Sequence, residues 1–171
     1  MPLDIPETIA TLQDSGLRLL AAAFLGGLLG LDREVKDKPL GLRTNMLVAI
    51  GSCSFGLIVM DLAAMFRAMD DQAHVDPSRV IEGIVGGIGF LGTGAIIQSR
   101  GGVVGATTGA TIWVVGAIGL ACGFGLYMHA AMVAVISFFV LTVLGMVTRR
   151  LGTTEPRAGL PDPRLPAGDA P

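Results

Sequence analysis

Apolar residues gather along the chain into five runs set apart by short polar stretches: about Leu17–Leu31, Thr44–Phe66, Val80–Gln98, Gly105–Phe124 and Tyr127–Thr148. A helix that crosses a bilayer needs roughly 20 mostly apolar residues, so each run predicts a membrane-spanning helix. The first reaches that length only with the amphipathic lead-in from about Thr11. The fourth and fifth almost touch through Gly123-Phe124-Gly125 and predict a tight helical hairpin. A charged stretch (Asp32–Arg43), an acidic loop (Arg67–Arg79) and a short glycine loop (Arg100–Gly102) make the remaining connections. The expected fold class is all-α, a polytopic membrane protein with five transmembrane helices.

The third run, VIEGIVGGIGFLGTGAII (Val80–Ile97), carries six glycines in eighteen residues. In water each glycine weakens a helix by up to about 1 kcal/mol relative to alanine. In hydrocarbon an unfolded backbone strands its amides at several kcal/mol each, so the helix survives. Glycine then permits close backbone approach, the packing on which membrane helices rely. At about 100° per residue, Gly83, Gly87 and Gly94 share one face, Gly89 and Gly92 lie opposite, and Gly86 falls between. Small residues on two faces predict that this helix sits at the centre of the bundle. Ala22, Gly26 and Gly30 form a similar stripe on the first helix, and Gly105/Gly109 and Gly119/Gly123 on the fourth.

Composition agrees with a bilayer environment. Of 171 residues, 51% are hydrophobic and 15% charged, against about 25% charged in a typical soluble domain. The net charge of −2 comes without a dense Lys/Arg run, so no nucleic-acid partner is expected. Cys53 and Cys122 both fall in apolar runs and read as small core residues. The acidic N-terminus has no basic region of the kind a signal peptide carries, so the first run is expected to remain in the mature protein. Lys and Arg accumulate on the cytoplasmic side of short loops. With the N-terminus outside, Arg33, Lys36, Lys38, Arg43, Arg100, Arg149, Arg150, Arg157 and Arg164 fall inside, and only Arg18, Arg67 and Arg79 outside. The expected topology is therefore N-out/C-in. The membrane domain covers residues 1–151. The Pro/Gly-rich remainder, 152–171, is expected to be a disordered cytoplasmic tail.

Polar groups near or inside the runs are the candidates for function, since ionisable side chains are costly there. Asp32 and Arg33 follow the first run, and Arg43-Thr44-Asn45 opens the second. A carboxylate–guanidinium pair among them can staple the first helix to the second, or the group can bind something. Lys36, Asp37 and Lys38 read as ordinary loop charges. Toward the other end lie Asp61 and Glu82, with Arg67 or Arg79 to neutralise them. Two carboxylates near one mouth can attract a divalent cation, but hard cations want six or more oxygens, and no metal-binding set is assigned. The fourth run opens with GATTGAT, whose Thr107, Thr108 and Thr111 can bond across helices or line an ion path. No catalytic or nucleotide motif is present; GIGFLGTG lies in mid-membrane without a preceding strand. The chain is expected to be no enzyme and to use no cofactor.

Three stretches, GLRTNMLVAIGSCSF (Gly41–Phe55), IVGGIGFLGTGAII (Ile84–Ile97) and GATTGATIWVVGAIGLACGFG (Gly105–Gly125), together resemble the MgtC/SapB family of bacterial membrane proteins. GLDRE (Gly30–Glu34) fits the charged turn of that family, and the likeness covers about residues 17–148. The resemblance implies a five-helix, multi-pass protein of the bacterial inner membrane, linked to growth in low magnesium and to survival in host phagocytes. It also implies virulence through contact with the membrane's ATP synthase rather than transport. The family's fourth-helix motif reads like LNTAATLWC; its Asn and Cys correspond to Thr107 and Val114 here. The likeness is to a short form, without the soluble C-terminal domain of longer members. Two functions remain open: a regulator, expected as a homodimer in the lipid bilayer, that contacts another membrane protein; or a small magnesium or proton permease using Asp32, Asp61, Glu82 and the helix-four threonines.

Overall fold

A computed structural model describes residues 5–69, 76–96 and 105–150 of the chain. The acidic loop residues Asp70, Asp71 and His74, the Arg100–Gly102 turn and the tail expected over 152–171 lie outside the described residues. The helices are α1 (Ile5–Val35), α2 (Leu42–Met69), α3 (Pro77–Ile96), α4 (Ala106–Gly123) and α5 (Tyr127–Phe139); α5 continues through a π-helical turn (Val140–Leu144) into α6 (Gly145–Arg150). All regular structure among the described residues is helical. Five of the rods are long and apolar enough to cross a membrane, the last being Tyr127–Val147. A helix satisfies its own backbone, so in hydrocarbon each apolar run has no better conformation. α1 exceeds its apolar run at both ends. The amphipathic lead-in stays helical, and Asp32, Arg33 and Glu34 find polar partners that let the last turn continue.

α4 is the axis of the bundle, and α1, α2, α3 and α5 all pack on it. Ten of its eighteen residues are buried, against two of twenty in α3. This corrects the expectation that the glycine-rich third helix is central. The reason lies in what the glycines meet. A Cβ added to Gly123 would lie 2.5 Å from the Cys53 carbonyl oxygen and 3.1 Å from Gly56 Cα, and one on Gly119 would collide with the Ala49 carbonyl. α2 therefore lies on the bare backbone of α4. By contrast, Gly83, Gly86, Gly87, Gly89 and Gly94 of α3 have no other part of the described chain within 4 Å of an added Cβ. Of the α3 glycines only Gly92 seats on α4, opposite Gly109.

The core between these helices is built from Ala22, Leu29, Ala49, Cys53, Val115, Ile118 and Cys122, all fully buried. Lipid tails are as apolar as these side chains, so what holds the helices together is close packing rather than withdrawal from water. Both cysteines are free thiols inside this cluster, consistent with small core residues.

A candidate functional site where three helices meet a buried guanidinium

Arg33 stands on the last turn of α1 and is only 3% exposed. Its Nη2 donates to the Pro39 carbonyl at 2.7 Å and to Thr108 Oγ1. Its Nε donates to the Pro39 and Leu40 carbonyls, each at 3.3 Å, and Nη1 reaches Thr111 Oγ1 at 3.4 Å. One planar fork thus ties α1 to the α1–α2 loop and to α4. A planar guanidinium serves well here, because its donors diverge in fixed directions and arginine keeps its proton, and so its charge, in proteins.

The loop is shaped to receive it. Asp37 and Leu40 adopt left-handed backbone conformations, with φ of 51° and 58°, which cost a non-glycine residue roughly 1–2 kcal/mol each. The Leu40 carbonyl accepts from Arg33 and also from Asn45 Nδ2 at 2.7 Å, and Asn45 Nδ2 donates to the Gly41 carbonyl at 2.8 Å. Asn45 is fully buried on α2, and its Oδ1 has no hydrogen-bond partner. Gly26 and Gly30 admit it: a Cβ on Gly30 would lie 2.8 Å from Leu42 Cα and 3.0 Å from Asn45 Cβ. Glu34 closes the loop by accepting from the Leu42 amide at 2.7 Å, which caps α2.

A second polar node joins α1 to the fifth rod. Lys36 Nζ lies 2.6 Å and 2.8 Å from the two Asp32 carboxylate oxygens and donates to the Leu141 carbonyl at 3.3 Å. Thr142 Oγ1 donates to Asp32 Oδ1 at 3.1 Å. Leu141 and Thr142 belong to the π-helical turn, where the regular bonding of an α-helix is interrupted and carbonyls become available to outside donors. At the opposite end of the bundle, Arg18 pairs with Asp14 at 2.7 Å and donates to the Gly123 carbonyl at 2.8 Å. Its guanidinium lies over Gly125, whose φ of 74° makes the hairpin turn between α4 and α5.

Among the residues proposed from sequence, Arg33, Asn45 and Thr108 come together in the first node, and the carbonyl of Thr107 accepts from Thr111 Oγ1 at 2.7 Å. The staple differs from the expected carboxylate pair: Asp32 binds Lys36 and Thr142, and Arg33 binds carbonyl and hydroxyl oxygens. Lys36 is accordingly more than a solvated loop charge. Arg43 is exposed and Thr44 half-buried beside the node, without joining it. Asp61 and Glu82 are exposed on α2 and α3, and among the described residues neither forms an ion pair with Arg67 or Arg79. No group of three His, Cys, Asp or Glu side chains among the described residues is placed to hold a metal. Among the glycines, Gly26, Gly30, Gly109, Gly119 and Gly123 are close-packed, and Gly105 starts α4 with a φ of 94° under the Ala95 carbonyl. A Cβ added to Gly83, Gly87 or Gly94 would meet no neighbouring helix within 4 Å among the described residues, contrary to a packing role within the chain. Sequence reasoning missed Arg18, Lys36, Glu34 and Thr142. The spacing of Asp32 and Lys36, one helical turn apart, was the available signal; nothing local pairs Thr142 with Asp32, 110 positions away.

An apolar five-helix bundle, with buried Arg33, Asn45, Thr108 and Thr111 gathered near helix ends, defines an integral, multi-pass membrane protein. Residues 19–150 match the MgtC family, and the chain belongs to that family, which places it in the bacterial inner membrane. It is 38% identical over 135 residues to "Putative magnesium transporter YhiD" of Escherichia coli K12, covering 79% of this chain and 62% of that protein. It is 37% identical over 139 residues to Protein SapB of Bacillus subtilis, with 80% and 59% covered. Protein MgtC of Brucella abortus is 39% identical over 141 residues, with 82% and 56% covered. The matched region thus spans about three-fifths of these relatives' lengths. No solved structure matches the chain significantly.

Proposed function

We propose that this chain is a non-enzymatic regulator in the inner membrane, oriented N-out/C-in, that serves adaptation to low magnesium by helix-to-helix contact. It acts as a homodimer on another membrane protein such as ATP synthase, and through it on intracellular survival and virulence. The observation that carries this reading is the outward face of α3, where Gly83, Gly87 and Gly94 leave bare backbone open to an approaching helix. The printed name of the relative YhiD, a magnesium transporter by that name, supports the magnesium setting. Cross-linking in magnesium-starved cells from a cysteine placed at Gly87, followed by detergent extraction, tests the reading. Recovery of a second copy together with a membrane partner is the expected outcome. A protein that stays monomeric and partnerless under those conditions would speak against it.

The name of YhiD favours a second reading, a magnesium or proton permease. In that reading Asp32, Asp61, Glu82 and the helix-four threonines form the path. Arg33 weighs against it, because a fixed cation holds Thr108 and Thr111 where a migrating cation would need them. Lys36 likewise occupies Asp32. Purified protein in liposomes decides: magnesium or proton flux that Glu82→Gln alters would establish the permease and displace the regulator.

A further inference from the structure

Arg79 and Glu82 stand on the first two turns of α3, both exposed, and among the described residues neither makes an ion pair. They lie in a span of only 20 residues, where an ionisable side chain without a partner is costly. Pairing within their own helix is the weaker option, since such pairs are better with the acid first and here the base comes first. Arg79, Gly86 and Thr93 follow one another at seven-residue intervals. Each therefore lies only about 20° round the helix from the last, and Glu82 falls within about 60° of all three. A seven-residue repeat is the spacing with which two parallel helices keep one seam in contact. All four residues are exposed, and a Cβ on Gly86 would meet nothing within 4 Å. The Thr93 hydroxyl donates to the Gly89 carbonyl of its own helix at 2.8 Å, so the stripe carries no unpaired hydroxyl. Its middle lies about 130° round the axis from Ile88 and Gly92, which face α4.

The charge pattern selects what covers this stripe. Copies of one chain in one membrane share an orientation, so their α3 helices meet side by side and parallel, about a two-fold axis normal to the membrane. Across that axis each Arg79 comes beside the Glu82 of the other copy, about one turn along, and a single contact neutralises all four ions. An unrelated helix would have to carry a matching acid and base at the same depth, whereas a second copy carries them by necessity. Gly86, in the same stripe, lets the two backbones approach closely. We propose that a second copy of this chain docks on the Arg79–Glu82–Gly86–Thr93 stripe through two reciprocal Arg79–Glu82 ion pairs. The contact rests on the homodimer of the proposed function and gives that dimer a place on α3. The Gly83, Gly87 and Gly94 face, about 90° further round the helix, is left to the other membrane protein.

Thr93→Cys in the full chain, oxidised in native membranes, reads the contact, because equivalent positions on a two-fold seam face each other. Cys53 and Cys122 are fully buried, so the chain without the new cysteine supplies the background. Thr93→Cys should give a disulfide-linked dimer. Adding Glu82→Arg gathers four cations at the seam and should cut the linked fraction about tenfold. Arg79→Glu gathers four anions and should do the same. The two reversals together rebuild both pairs in the opposite sense and should restore the dimer, which a mere loss of folding would not allow. No linked dimer from Thr93→Cys overturns the contact, as do single reversals without effect or a double reversal that stays monomeric. Stronger linkage from Gly87→Cys than from Thr93→Cys would put the second copy on the glycine face, and overturns it too. The regulator reading is scored separately: capture of another membrane protein from Gly87 decides it, whichever way the charge reversals fall.

Discussion

At the scale of single residues, Arg33 shows how a membrane protein keeps a charge in its interior. Its donors reach two loop carbonyls and two threonine hydroxyls, so a buried cation is matched by oxygen dipoles from two different elements. Arg33→Met removes the side-chain donor to the Pro39 carbonyl and to the Thr108 and Thr111 hydroxyls, while Leu40 keeps Asn45, and an unsatisfied buried polar group costs about 1–3 kcal/mol. The variant should therefore lose about 2 kcal/mol or more, measured as a lower thermal unfolding midpoint in detergent. Arg33→Lys should recover only part of the loss, since a point charge cannot reach the loop and α4 together. Asp76 acts outside the membrane-spanning segments. Its carboxylate accepts from the Ser78 amide at 3.0 Å and from the Ser78 hydroxyl, which starts α3. The Ser78 hydroxyl first and its amide second hold the carboxyl below the usual range. Because the folded value is the lower one, the cap contributes fully above the ordinary carboxylate value, about pH 4, and is lost as pH falls through the folded value. Protection of the first-turn amides of α3, taken relative to the intrinsic exchange rate at each pH, should fall below about pH 4 in the native protein, and Asp76→Ala should lower it at neutral pH as well.

At the scale of elements, spacing along one helix could say that α3 and α4 each carry small residues, but not which of them would be surrounded. α4 also has Gly116, Val115, Ile118 and Cys122 around its circumference, so that neighbours find a smooth surface on several sides. The outward face of α3 is different, with Phe90 81% exposed among the glycines. The contrast is measurable. Gly119→Ala sets a methyl group against the Ala49 carbonyl, backbone that cannot swing aside, and overpacking of this kind costs typically about 1–3 kcal/mol or more. Gly87→Ala meets open space and should leave the unfolding midpoint of the isolated protein unchanged or slightly raised. Equal destabilisation by the two substitutions would contradict the placement of α4 at the axis. The fifth rod adds an element that no periodicity announced. Its π-helical turn is where Lys36 and Thr142 connect the rod to α1, and a one-residue shift in helical bonding over five residues leaves no mark in an apolar run.

At the scale of the whole molecule, the five spans were legible because bilayer thickness fixes their length and hydrocarbon forbids unpaired backbone. The observed α2, α3 and α4, and the rod made of α5, the π-helical turn and α6, begin and end within a few residues of the apolar runs. α1 runs longer, since charged residues that looked like a loop are held in helical turns by long-range bonds. Orientation rests on the Lys/Arg distribution. A fluorescent protein fused at the C-terminus should light up in the cytoplasm, and an alkaline phosphatase fusion at the same position should be inactive. The reverse pattern would invert the topology and with it the side to which Arg33 and Lys36 are closest.

The sequence by itself determined that the chain crosses the membrane five times as helices, that small residues govern how closely those helices approach, and that Asp32, Arg33, Asn45 and the threonines of GATTGAT are its costly polar groups. These are consequences of composition and local spacing, and they hold whatever the neighbours are. Only the tertiary structure decided which neighbours those groups meet. It put α4 rather than α3 at the axis, gave Asp32 to Lys36 and Thr142, and turned the loop carbonyls of Pro39 and Leu40 toward Arg33. A bond between residues 75 or 110 positions apart depends on how whole helices rotate and cross. That geometry is settled by the close packing of all five at once, not by any one run of residues.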